Sequence, residues 1–262
     1  MKILLLFIYV FSFATNQTII KNLHSNSNKF SFVVMGDNRD GDYVLKQIIK
    51  QTNQDKSIKF LIDNGDLVSD GYQTQFNNYL KIIQTSNKPI ISVIGNHEIP
   101  WYDGESNYKN FFGKTYFSFK YSNSYFIILD TSNKKLSKKQ IKWLKKKLKY
   151  SKKYTNCFVF MHVPLYDPRK GKYKKGHSFK NLKQAKKLNK LLDKYNVTMF
   201  FASHIHSYFR GFWHKTPYII TGGAGAPLKR NGFYHYIKVM VNCNNVKFVV
   251  IKLKEKNDSN FI

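Results

Sequence analysis

The sequence predicts an α/β fold, a four-layer α/β/β/α sandwich of two mixed sheets flanked by helices. Three observations carry that prediction. Short apolar runs of strand length alternate with stretches whose apolar residues recur at helical spacing, the pattern of strands and helices layered around a largely parallel sheet. Two further pairs of runs are separated by only four turn-forming residues, which reads as antiparallel hairpins and makes the sheets mixed. The 262 residues contain no Pro/Gly/Ser-rich linker, so they read as one domain, placed at residues 29–254.

The chain opens with Met1-Lys2 and an apolar run from Ile3 to Phe13, and Ser12 and Ala14 stand at −3 and −1 of a cleavage point. This is the pattern of a signal peptide over residues 1–14, which predicts a secreted or periplasmic protein. A helix needs about 20 apolar residues to span a bilayer, and the run is shorter, so no transmembrane segment is expected in the mature chain. Phe30 to Met35 is the first expected strand, followed by helical spacing at Tyr43, Val44, Ile48 and Ile49. Phe60 to Asp63 is the second, followed by Phe76, Leu80 and Ile83 at helical spacing, and Ile90 to Ile94 is the third. Phe117 to Lys120 and Tyr125 to Leu129 flank Tyr121-Ser122-Asn123-Ser124 as a hairpin. From Lys134 to Lys153, lysines interrupt Ile141, Trp143, Leu144 and Leu148, as in a helix with one buried stripe and a solvated basic face. Phe158 to Met161 is a fourth strand ending at a polar cluster, Leu182 to Tyr195 an amphipathic helix, and Met199 to Ala202 a fifth such strand. Tyr234 to Val241 and Val246 to Leu253 flank Asn242-Cys243-Asn244-Asn245 as the second hairpin.

The formal charge is +29, and a surface so basic attracts polyanions. Of its 44 basic residues, however, only Arg39, Arg169, Arg210 and Arg230 are arginine. Sites that read bases or grip phosphates in pairs favour the forked guanidinium. The lysine excess, accompanied by abundant Asn and Ile, therefore reads as compositional bias rather than as a sequence-specific nucleic-acid surface. Cys157 and Cys243 permit one disulfide but no disulfide framework.

Each of five strand-length runs ends at a polar cluster: Gly36-Asp37-Asn38-Arg39, Gly65-Asp66, Gly95-Asn96-His97-Glu98, His162, and His204-Ile205-His206. Ligands of open α/β sheets gather beyond the carboxyl ends of the strands, so five loops converge on one crevice. The candidate metal ligands are Asp37, Asp66, Asn96, His162, His204 and His206. Oxygen and imidazole donors without thiolate suit Fe, Mn, Zn or Co. Six donors are too many for one tetrahedral zinc and suit two metals that share a carboxylate. Two divalent ions and two aspartates leave such a site near +2, a pocket for an anion, and the chemistry of a two-metal site facing an anion is phosphoester hydrolysis. Taken singly, each Gly-Asp is equally a turn, and His162 alone reads as a hydrogen-bonded structural residue. His24, His177, His214 and His235 fit no cluster and read as surface or structural.

The five ordered blocks resemble the calcineurin-like metallophosphoesterases, whose pattern is Asp-x-His, Gly-Asp, Gly-Asn-His-Asp/Glu, His and Gly-His-x-His. The resemblance spans Phe30 to about Pro227. It implies that Asp66 bridges two metal ions, divalent or mixed-valence Fe, Mn or Zn, with Asp37 and His206 on the first and Asn96, His162 and His204 on the second. His97 is then the proton donor to the leaving group or a phosphate contact, with Glu98 orienting it. Arg39 stands where the family carries a second imidazole, and Ser203 where it carries Gly. A guanidinium does not ligate metal; Arg39 reads either as a two-pronged contact to substrate phosphate or as the ion-pair partner of Asp40 or Asp42. Purple acid phosphatases also lack that His but place a Tyr three residues after the bridging Asp. Here that position is Ser69, so no coloured Fe-tyrosinate centre is expected. His206-Ser207-Tyr208-Phe209-Arg210 resembles a stretch of the same branch, and Thr221 to Pro227 a glycine-rich loop of related phosphoesterases. Together these imply a phosphomonoesterase acting on a phosphorylated small-molecule or polyanionic substrate. The alternatives are a nuclease or phosphodiesterase, and a non-catalytic cationic envelope binding protein with a degenerate site, for which Arg39 speaks.

Overall fold

The computed structural model describes residues 14–25, 27–99, 103–169, 176–229 and 232–253. The signal peptide expected at 1–14 lies outside them except for Ala14, as does Arg230. In chain order the elements are α1 (Asn16–Lys21), β1 (Lys29–Met35), α2 (Asp42–Gln54), β2 (Ile58–Asp63), α3 (Gln73–Ile83), β3 (Ile90–Ser92), α4 (Gly104–Phe112), β4 (Phe117–Tyr121), β5 (Ser124–Leu129), α5 (Lys138–Ser151), β6 (Asn156–Met161), α6 (Leu182–Lys194), β7 (Met199–Ala202), β8 (Tyr208–Trp213), β9 (Thr216–Thr221), β10 (His235–Asn242) and β11 (Asn245–Lys252).

The strands form two mixed sheets, ordered β11-β10-β1-β2-β3 and β4-β5-β6-β7-β9-β8. β1, β2 and β3 run parallel, as do β5, β6, β7 and β9, while β10, β11, β4 and β8 join antiparallel. The period of two along each strand sorts its side chains into two layers. Phe32 and Val34 of β1 meet Phe126, Phe158, Phe160 and Phe201 between the sheets, whereas Val33 and Met35 meet Val44, Leu45 and Ile48 of α2. On the far side, Ile127, Val159 and Met161 meet Leu144 and Leu148 of α5 and Leu188 and Leu192 of α6. Three apolar interfaces thus separate four layers, as the sequence predicts. Central strands read as continuous apolar runs because both faces are covered; β6 is buried throughout. The outermost strand β11 alternates instead.

The intersheet layer is aromatic. Phe32 lies 5.5 Å from Phe60, 5.4 Å from Phe126 and 5.2 Å from Phe158 between ring centroids. Such pairs each add about 0.5–1.5 kcal/mol beyond their buried area, so this layer holds the two sheets in fixed relation and with them the loops at their ends.

Four features depart from the sequence reading. β3 stops at Ser92 rather than Ile94, and the bond from the Val93 N–H to the Asp63 carbonyl at 2.8 Å is the last that ties this segment to β2. β8 and β9 form a third hairpin, and α4 is an additional helix. α1 lies ahead of residue 29 yet belongs to the folded body: Asn16 is fully buried, its amide donating to the Ser92 carbonyl at 2.8 Å and accepting from the Ser92 N–H at 2.9 Å. One side chain thereby occupies the open edge of β3, where exposed backbone groups would otherwise invite pairing. Cys157 is buried and Cys243 exposed, and both are free thiols. No described helix is long and apolar enough to cross a membrane.

Candidate metal centre

The parallel strands of both sheets end at one rim, and there the backbone turns abruptly. Asp37, Asp66 and His204 all adopt left-handed conformations, with φ of 58°, 57° and 68°. A non-glycine residue there costs about 1–2 kcal/mol, so the surroundings must enforce it. They do so through interlocked loops. Asp37 N–H donates to the Gly65 carbonyl at 2.9 Å, Ala226 N–H to the Asp37 carbonyl at 2.7 Å, and His204 N–H to Asp37 Oδ2 at 2.7 Å. His97 N–H donates to Asp66 Oδ1 at 2.9 Å. Gly65, at φ 95°, is required by both conformation and space: a Cβ would come within 2.7 Å of His162 Nδ1 and 2.9 Å of the Gly95 nitrogen.

Five of the six expected ligands come together at this rim. Asp66, His162 and His204 offer donor atoms within 4.8 Å of one another, and so do Asp37, Asp66 and His206. Asp66 is common to both groups. His162 Nε2 lies 3.1 Å from Asp66 Oδ1 and 4.0 Å from Asp37 Oδ1, and His206 Nε2 lies 3.5 Å from Asp37 Oδ1. Asn96 sits in the loop after β3, its side-chain oxygen buried.

Second contacts set the imidazole tautomers. His162 Nδ1 is 2.9 Å from the Asn64 carbonyl and His206 Nδ1 is 2.7 Å from the Pro227 carbonyl. A carbonyl only accepts, so Nδ1 carries the proton and Nε2 turns its lone pair to the site, the arrangement of a metal-ligating histidine. Among the described residues, Asp37 Oδ1, Asn96 Oδ1, His162 Nε2 and His204 Nε2 are buried without a hydrogen-bond partner. A buried orphan costs about 1–3 kcal/mol. Oxygen and imidazole donors, with Asp37, His162 and His204 among the grouped side chains, match the donor set of Fe, Mn or Zn.

The electrostatics agree. Burial pushes Asp37 up to about 8, against the pull of His162. Burial also raises Asp66, but the charges of His162, His97 and His204 override it and hold that carboxyl well below its usual range. His162 is raised to about 9 by Asp66 despite its own burial. The aspartates therefore require positive charge in their midst. Burial lowers His204 well below its usual value and His206 to about 4, keeping both neutral with lone pairs available at neutral pH.

The neighbouring side chains revise several expectations. Glu98 does not hold His97. Its carboxylate is fully buried and accepts from the backbone N–H groups of Gly95 at 2.5 Å, Asp66 at 3.0 Å, Leu67 at 2.7 Å and Val68 at 3.2 Å, tying the loops after β2 and β3 together. His97, about one-third exposed, directs Nδ1 to the Ser69 carbonyl at 2.6 Å, and its Nε2 is 3.9 Å from Asp66 Oδ2. Arg39 pairs with Asp40 at 2.8 Å, and Asp40 also accepts from the Ser69 hydroxyl. Ser203 is no idle stand-in for glycine: its hydroxyl donates to the Thr221 carbonyl at 2.8 Å and accepts from Asn64 at 3.2 Å, and Asn64 also donates to the Met161 carbonyl at 3.0 Å. The glycine-rich loop packs tightly on Asp37: a Cβ on Gly222 would come within 2.6 Å of Asp37 Oδ2. Arg210 is exposed on β8 over the ring of Phe248, away from the ligand cluster. The sequence reading missed Asn64 and His177, whose ring lies 5.5 Å from that of His204; neither stands in a block that marks it.

The family model for calcineurin-like phosphoesterases matches residues 12–208. Among solved structures, the chain is similar to the purple acid phosphatase PPD1 of yellow lupin (Lupinus luteus) seeds at TM-score 0.71 and 18% identity, covering 85% of this chain and 51% of that one. It thus spans about half the length of the lupin protein. It is also similar to GAP50 of Plasmodium, at TM-score 0.64 and 16% identity over 88% of this chain and 91% of that one. PhoD shares the fold at TM-score 0.64 and 11% identity, over 90% and 73%. No curated protein sequence matches the chain. The matched residues contain the strand ends and loops that carry the clustered carboxylates and imidazoles, and the chain belongs to the calcineurin-like phosphoesterases, hydrolases that act on phosphoester bonds with a dinuclear metal centre.

Proposed function

We propose that the chain is a secreted or periplasmic phosphomonoesterase. The observation that carries the reading is the pair of ligand groups sharing Asp66, with Asp37 Oδ1, His162 Nε2 and His204 Nε2 buried and unpartnered among them. Asp66 would be shared by two Fe, Mn or Zn ions, with Asp37 and His206 holding the first and Asn96, His162 and His204 the second. When bound, such ions lower the pKa of water to about 7 and neutralise phosphoryl oxygens. The protein does the rest. Asp66 is fixed by the His97 N–H, and the carbonyls of Asn64 and Pro227 aim the imidazoles. His97, at the mouth with Nδ1 held by Ser69, presents Nε2 to the departing oxygen and delivers its proton. Arg39, held by Asp40 on the first-metal side, contacts the non-bridging oxygens of the phosphate. The mature chain begins after Ala14, which leaves Thr15 and Asn16 to cap and anchor α1.

The test is to purify the mature protein without chelator, measure its metals by elemental analysis, and assay the same sample on an aryl phosphate monoester and a bis-aryl diester. About two metals per chain with monoester turnover is expected. Asp66→Asn should remove metal and activity together, while His97→Ala should lower turnover about 10²-fold or more with metal retained. A metal-free Asp66→Asn protein that still turns over sinks the mechanism; diester preference favours the nuclease branch. Fewer than one metal and no turnover after adding Mn, Fe or Zn identifies a binding protein.

A further inference from the structure

A cleft of about 670 Å³ lies between α4 and the N-terminal turn of α5, lined among others by Lys114, Lys135, Lys139 and Trp143. Lys109 and two carboxylates, Glu105 and Asp130, also line it, so four lysines against two acids leave a net charge of about +2. Glu105 pairs with Lys109 at 2.6 Å, and Asp130 accepts from the Ser132 hydroxyl at 2.7 Å and the Ser132 N–H at 3.1 Å. Lys114, Lys135 and Lys139 reach the cleft from three separate segments: the turn before β4, the loop after β5, and α5 itself. The two carboxylates offset only part of the lysine charge, so the cleft attracts a further anion. The first turn of α5 sharpens the point: it carries Lys138 and Lys139 and no acidic residue, the reverse of what the helix dipole favours. A helix N-terminus with lysines beside it is suited to an anion.

Both walls of the cleft continue into the loops of the second-metal side. Gly104, which opens α4, sits so close to the Glu98 carbonyl that a Cβ there would clash with it. On the other wall, Thr131 Oγ1 accepts from the N–H of Val163, next to His162, at 2.8 Å. Lys134 Nζ in that same wall donates to the Gly176 carbonyl at 2.5 Å, beside His177 and its neighbour His204. The cleft and the ligand cluster thus share their bordering loops.

We propose that the cleft is an anion subsite taking a second phosphate group of the substrate on Lys114, Lys135 and Lys139, so that preferred substrates are small molecules bearing more than one phosphate. The proposal rests on the phosphoesterase reading and names its substrate class.

Fructose 1,6-bisphosphate and fructose 6-phosphate serve as the probe pair for the full mature chain. The expected ratio of kcat/KM, bisphosphate over monophosphate, is at least tenfold in the native protein. It should fall at least fivefold, through KM, in K135A/K139A, and persist in the control K46A/K50A, which removes two exposed charges from α2. A native ratio near one overturns the proposal, as does an unchanged ratio in K135A/K139A or an equal loss in the control. Titrating the bisphosphate against the emission of Trp143, with W143F as blank, reads the cleft without turnover. If neither sugar phosphate is hydrolysed, the aryl phosphate assay decides the phosphoesterase reading and the Trp143 titration decides the subsite. A Trp143 response lost in K135A/K139A and retained in K46A/K50A then still supports the subsite, and the absence of any response refutes it.

Discussion

Replacing Glu98 by Gln tests whether the metal loops are held from beneath. Glu98 Oε1 accepts from Leu67 and Val68, and Oε2 from Asp66 and Gly95. The amide retains one acceptor oxygen, so two N–H donors lose their partner and face an NH₂ group instead. Hydrogen bonds to a charged group are worth about 1.5–3 kcal/mol each, a gross loss of about 3–6 kcal/mol. The neutral amide is easier to bury, which returns part of this and leaves a net loss of about 2–4 kcal/mol. For a domain of this size each kcal/mol moves Tm by about 2–4 °C, so a fall of about 4–16 °C is expected. The loss falls on the loops that present Asp66 and Asn96, so bound metal should drop below one per chain while circular dichroism at 20 °C stays native. The readouts are a thermal melt and elemental analysis of one sample. A Glu98→Gln protein that melts within 2 °C of the native protein with its full metal complement would refute the clamp.

Two further outcomes are expected. Asn16→Ala removes both bonds to Ser92, but the Ser92 carbonyl keeps the Tyr108 hydroxyl at 2.7 Å. Only the Ser92 N–H is orphaned, a loss of about 2 kcal/mol seen as a lower urea midpoint with metal content unchanged. His235 is fully buried, with Nδ1 2.8 Å from the Phe233 carbonyl and Nε2 3.1 Å from the Thr221 hydroxyl, and burial lowers it from 6.5 to about 4. Between those values the unfolded chain binds a proton that the folded one refuses, so stability is lost as pH falls from about 6.5 to about 4, by about 3 kcal/mol. His235→Gln lacks that proton, so its stability deficit relative to the native protein should shrink by this amount between pH 7 and pH 4 in urea titrations. Parallel stability profiles would contradict the reading.

What was legible in the sequence is what short-range rules decide. Apolar runs of period two and helices of period 3.6 place the strands, and every run that ends at a polar cluster ends at the common rim. The third hairpin was not legible because Gly211 and Pro217 interrupt its strands, and because His214-Lys215 is not a turn sequence that announces itself. The Asn16 to Ser92 bonds span 76 residues and the Asn64 to Ser203 bond 139. No local pattern encodes contacts at such separation, and they become predictable only once the strand order is known.

Glu98 shows why adjacency misleads at a site made of loops. Beside His97 in the sequence, it reads as the carboxylate that holds the imidazole. The chain turns at His97 and Glu98, so the two side chains leave it in different directions: His97 goes to the mouth and Glu98 falls beneath the loop. There the αL turn at Asp66 exposes a row of backbone N–H groups with no sheet to receive them. Buried donors require an acceptor, and a carboxylate with two oxygens satisfies four of them. The orienting role passes instead to a backbone carbonyl, that of Ser69, just as the carbonyls of Asn64 and Pro227 serve His162 and His206. In this site the main chain sets the imidazoles, and the acidic side chain sets the main chain.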